Sequence, residues 1–69
     1  MAELYNVNLF ARHVVVEEYQ PQVDAELALC VGDRVCVLQD FHDGWIAGVE
    51  KISGHLGLFP ARCVRTHQK

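Results

Sequence analysis

From Leu27 to Thr66 the apolar residues of this 69-residue chain come in short alternating runs separated by turn dipeptides, and that pattern leaves few folds open. Leu27 and Leu29 flank Ala28, and Val35 and Val37 flank Cys36. A repeat of two places one set of side chains on each face of an extended strand, whereas a helix needs a repeat near 3.6. Val14, Val15 and Val16 add three β-branched residues in a row, which favour a strand. Gly32-Asp33 reads as a tight diverging turn, Asp43-Gly44 as the end of a polar loop that starts at Gln39, and Ser53-Gly54 as a hairpin turn. Pro60 has no N–H to give a central ladder, so it ends the strand before it. Ala61, Arg62 and Cys63 then leave room for one 3₁₀ turn ahead of a last strand at Val64–Thr66. Several short strands with almost no helix signal imply an all-β barrel or sandwich.

The chain is long enough for one domain, and at this size only roughly 60% of the unfolded surface is buried on folding. Hydrophobic residues make up 51% of it, which suits a packed core rather than disorder. No apolar run approaches the roughly 20 residues that span a bilayer. The net charge is -3, and the basic residues Arg12, Arg34, Lys51, Arg62, Arg65 and Lys69 are scattered. Without a basic stripe to follow phosphates, neither nucleic acid nor a membrane is an expected partner. Cys30, Cys36 and Cys63 cannot pair off completely, and no secretory leader precedes Val14. The expectation is a reducing, cytoplasmic setting with three free thiols. His13, His42, His55 and His67 form no metal-ligand spacing with the cysteines, so no metal or cofactor is expected. Phosphate loops, nucleophile elbows and paired catalytic carboxylates are missing, which argues against an enzyme.

Five blocks then fall in a telling order. They are Val15-Val16-Glu17-Glu18-Tyr19, Glu26-Leu27-Ala28-Leu29, Val31-Gly32-Asp33, Asp43-Gly44-Trp45-Ile46-Ala47-Gly48, and the run from Gly57 to Val64. In sequence and spacing they resemble the A-L-Y-D-Y, E-L-S-F, K-G-D, D-G-W-W-x-G and G-L-F-P-x-N-Y-V motifs of the SH3 domain. Any one block is weak, but five in order are specific. The stretches V-V-V, Y-x-P-Q and A-E-L-x-L also resemble, more faintly, the last SH3 domain of POSH-type RING-finger scaffolds. The resemblance implies a five-stranded SH3-like barrel of two orthogonal sheets over residues 13–66, with an N-terminal extension at 1–12 and a tail at 67–69. On such a barrel Val15, Leu27, Leu29, Val35, Val37, Phe59 and Val64 share one parity and form the core, and Gly48 lies where the sheets cross.

SH3 domains recognise polyproline II peptides, which are already extended and lose little entropy on binding. By resemblance the groove consists of Glu17, Tyr19, Trp45, Leu58, Pro60, Arg62 and Cys63. Trp45 lies across the surface with its indole N–H facing a ligand carbonyl, and Glu26, helped by Asp24 and Glu18, holds a basic ligand residue. Three positions depart from the family. Glu17 replaces the first motif tyrosine (a one-residue shift would put Val16 there), Cys63 replaces the closing tyrosine, and Arg62 replaces the neighbouring asparagine. Loss of two aromatic walls removes about 1–3 kcal/mol of apolar contact, or about ten- to a hundredfold in affinity. Arg62 makes the groove tolerant of an acidic ligand residue. The implied function is a proline-containing or basic peptide binder with a reduced groove, set within a larger scaffold or signalling protein. The alternative is an assembly domain that meets a folded partner elsewhere, or self-associates through Leu4, Tyr5, Val7, Leu9 and Phe10, which no SH3 element explains.

Overall fold

Alternation along the chain becomes a coiled antiparallel sheet in the structure, a computed structural model that describes residues 12–66. The strands are β1 (Arg12–Val15), β2 (Arg34–Asp40), β3 (Trp45–Glu50), β4 (Leu56–Pro60) and β5 (Val64–Thr66), with a 3₁₀ turn at Ala61–Cys63. They pair in the order β4-β3-β2-β1-β5. The register between β2 and β3 slips between Val37 and Gln39, leaving Leu38 as an extra residue. A bulge of this kind bends its strand and adds twist, which helps the sheet coil into a small barrel.

β3 shows the pleat most clearly. Ile46, Gly48 and Glu50 are buried, while Trp45, Ala47 and Val49 are half-buried on the other face. A Cβ placed on Gly48 would lie 2.6 Å from the Cys36 carbonyl oxygen and 3.1 Å from the Phe59 ring, so only glycine fits this crossing. At the end of β3 the Glu50 carboxylate accepts hydrogen bonds from the Ser53 N–H at 2.8 Å and the Ile52 N–H at 3.2 Å. These bonds, with Gly54 at φ 78, fold the chain back into β4. The Ser53 hydrogen bonds hold the Glu50 carboxyl below its ordinary range, against the opposing effect of burial.

The core comprises Val15, Leu27, Leu29, Val35, Ile46, Phe59, Cys63 and Val64. Val37 sits at its margin, half-buried, rather than inside. Ile46 fills the inner face opposite Trp45, and Cys63 joins the interior instead of facing a groove. The stretch from Leu27 to Leu29 keeps its expected burial alternation but is not a strand. Only isolated bridges form, between Tyr19 and Leu29 and between Glu26 and Leu58. The long β1–β2 loop thus folds on itself and closes against β4 through Leu27 N–H to Leu58 O at 2.8 Å and Leu58 N–H to Ala25 O at 2.9 Å. That covers an edge which would otherwise be open to another chain. β1 ends at Val15, leaving Val16 exposed, and β2 runs on to Asp40, one residue beyond the expected loop start. All three cysteines are free. The apolar residues Leu4, Tyr5, Val7, Leu9 and Phe10, and the tail at 67–69, lie outside the described residues.

Candidate peptide-binding groove

The groove begins at the loop leading into β3. Asp43 Oδ1 accepts the Trp45 N–H at 3.2 Å, and Gly44 takes φ 101, a conformation that glycine adopts without strain. The turn delivers Trp45 to the outer face of the strand. The Tyr19 ring meets it edge-to-face, with centroids 6.2 Å apart and an interplanar angle of 82°. Tyr19 is itself fixed by paired backbone hydrogen bonds to Leu29, both 3.0 Å. Its hydroxyl donates to Glu26 Oε1 at 2.9 Å, and the Gln22 N–H donates to the same oxygen at 2.6 Å.

Those contacts set the charge of the site. The Gln22 N–H, more than any other group, holds the Glu26 carboxyl below its ordinary range, and the Tyr19 hydroxyl adds to this against partial desolvation. Burial, then Glu26, pushes the Tyr19 phenol upward. At neutral pH the pair is therefore a carboxylate accepting from a neutral phenol.

Beside this pair opens a cleft of about 360 Å³ lined by Glu26, Phe41, Asp43, Trp45 and Leu58. Two carboxylates thus face three apolar walls. A neighbouring hollow of about 310 Å³ within the β1–β2 loop is lined by Pro21, Gln22, Val23, Asp24 and Glu26, with no aromatic surface. Asp24 borders this second hollow, and Glu26 links the two. Glu18 is exposed and lines neither. Pro60 is buried, directly across the ladder from Trp45, and the next residue, Ala61, ties the 3₁₀ turn to Gly44 O at 2.8 Å.

Outside the lining of these two hollows the three departures come together. Arg62 Nε donates to Glu17 Oε2 at 3.4 Å, with the two side chains 64% and 54% exposed. Cys63 has no exposed surface, and its carbonyl oxygen accepts from Val16 N–H at 2.7 Å and Glu17 N–H at 3.3 Å. The resemblance puts Cys63 in the groove, but its side chain packs in the core and offers a ligand no surface. Burial pushes its thiol upward, Arg62 opposes the shift and Glu17 adds to it, so reactive thiolate chemistry is disfavoured.

Phe41 and Asp43 line the cleft yet were absent from the expected site. Phe41 is the single apolar residue between Gln39 and Gly44, and Asp43 opens the dipeptide before Trp45. The Phe41 N–H bonds to Trp45 O at 3.1 Å, and His42 takes φ 61 with its N–H on Asp40 Oδ1 at 2.9 Å. These are three-dimensional details that no local pattern announces.

Comparison with known proteins gives the same answer. The family described as "Variant SH3 domain" matches residues 15–65. "SH3 and multiple ankyrin repeat domains protein 2" from Mus musculus is 49% identical over 55 residues, covering 80% of this chain and 4% of that protein. Vinexin from Mus musculus is 45% identical over 47 residues, covering 68% of this chain and 6% of vinexin. The chain therefore spans only a small fraction of these relatives. The solved SH3 domain of yeast NBP2 superimposes with a TM-score of 0.77 at 29% identity, covering 84% of this chain and 98% of that one. The C-terminal SH3 domain of myosin IB from Entamoeba histolytica, solved with a bound peptide, gives 0.76 at 25% identity, covering 86% and 95%. With its barrel, its motif order and these relatives in agreement, the chain belongs to the SH3 family of protein-interaction modules.

Proposed function

We propose that this SH3 domain binds a short extended peptide across Tyr19, Trp45 and Leu58, with buried Pro60 paired across the ladder from Trp45, and holds a basic ligand side chain in the cleft between Glu26 and Asp43. The observation that carries this reading is the cleft itself, where two carboxylates stand against the apolar surfaces of Phe41, Trp45 and Leu58. An Arg or Lys stem packs on the apolar walls while its charged head meets the carboxylates. A proline-rich backbone lies flat on Tyr19 and Trp45, and the indole N–H reaches a ligand carbonyl. Asp24, in the adjoining hollow, adds field more than contact. Exposed ion pairs contribute only about 0–1 kcal/mol, so Glu18 and Asp24 tune encounter rate and orientation. The myosin IB domain, solved with a bound peptide, supports peptide binding as such by similarity.

The end near Glu17, Arg62 and Cys63 carries no aromatic wall, so affinity for an ordinary P-x-x-P peptide is low. The wider setting we propose is cytoplasmic, within a larger scaffold or signalling protein, in keeping with three free cysteines and the multidomain relatives. Trp45 is the sole tryptophan, so its fluorescence reports ligand directly. Titration with a proline-rich peptide carrying one arginine shifts that fluorescence, and replacing the peptide arginine by alanine or using Glu26→Gln weakens binding severalfold. Unchanged affinity in both cases would show that the cleft is not where the basic residue sits.

A further inference from the structure

The groove region carries charges of both signs. Glu26 and Asp43 line the Trp45 cleft, and Arg62 stands on the 3₁₀ turn outside that lining. A guanidinium offers five donors in a planar fork, and the contact with Glu17 engages Nε alone at 3.4 Å. Both side chains are more than half exposed, so water competes for each and the pair exchanges readily. Beside them Cys63 is sealed into the core and offers no side-chain surface in place of the missing ring. What a ligand meets at this end is charge rather than a proline pocket.

We infer that Arg62 selects a peptide bearing an acidic side chain at the end away from its basic residue, and so determines the direction in which the peptide lies. This rests on the groove reading above. A carboxylate can take the two terminal guanidinium nitrogens side by side, the strong bidentate form of this pair. A peptide basic at both ends would bring a second cation against Arg62, whereas one with a base at one end and an acid at the other matches the groove in a single direction. Glu17 is the competitor. It occupies Nε and repels an incoming carboxylate, so its removal strengthens the selection, while removal of Arg62 abolishes it.

The test uses the 69-residue chain and two proline-rich peptides of roughly ten residues, about 30 Å long as polyproline II. Both carry arginine at one end; one has glutamate and the other glutamine at the far end. At low salt the glutamate peptide binds about two- to fivefold tighter, the range open to an exposed ion pair. Arg62→Gln removes that preference, Glu17→Gln enlarges it, and thermal melts confirm that both exposed-site variants remain folded. Equal affinities for the two peptides with a normal Trp45 response would overturn this inference and leave the groove reading intact. An identical response of the two variants would overturn it as well, because a pair that merely covers Cys63 is broken alike from either side. If neither peptide binds, the groove reading falls and this inference with it.

Discussion

Trp45, Tyr19 and Glu26 act as one unit at the scale of single residues. The indole stands edge-on to a phenol whose hydroxyl is committed to the carboxylate, so the three hold each other in place before any ligand arrives. Trp45→Ala therefore lowers peptide affinity more than tenfold and leaves the domain folded, since the indole lies on the outer face opposite buried Ile46; calorimetric titration and a thermal melt read the two effects separately. These residues were legible because each falls in a motif at fixed spacing. Phe41 and Asp43 were not, because loop geometry brings them to the cleft. The burial of Cys63 was equally hidden: motif position tells where its backbone lies, but not that its side chain packs into the core.

Individual elements are held by features with sharply different visibility. Gly48 was legible as a crossing point, and its missing side chain is required by the Cys36 carbonyl. Gly48→Ala should cost about 1–3 kcal/mol or more through overpacking, enough to unfold much of a small domain, as urea denaturation would show. The bulge at Leu38 was not legible, because register depends on which residues face each other across β2 and β3. Nor was the reduction of the stretch from Leu27 to Leu29 to bridges, since alternation reports burial and not the length of a ladder.

Glu50 gives the β3–β4 turn a pH dependence. Its folded carboxyl is held below the ordinary value by Ser53, so the turn gains stability that is full above the unfolded carboxylate range, about 4. That contribution is lost as pH falls through the lower folded value. Melting temperature followed from pH 6 to roughly pH 3 should thus decline, with a shallower decline in Glu50→Gln. Parallel slopes would remove Glu50 from the account.

Across the whole molecule, the order of five motifs and the parity of the apolar residues suffice for the barrel, because a one-residue slip would turn every core side chain outward. Ligand choice is less visible at this scale, since it depends on where Glu17, Arg62 and Cys63 sit relative to one another. Restoring one aromatic wall with Glu17→Tyr, at an exposed position, should raise affinity for an ordinary P-x-x-P peptide severalfold. A titration of this variant that matches the unaltered chain would show that the missing wall matters little here.

Chemical-shift mapping on the nitrogen-labelled chain, titrated with a proline-rich peptide that carries one arginine, tests the binding surface most directly. The account predicts the largest changes at the Trp45 indole and at Tyr19, Glu26, Phe41 and Leu58, which surround the charged cleft. Changes centred instead on the exposed apolar residues Val31, Ile52 and Leu56, or no changes at all, would contradict it.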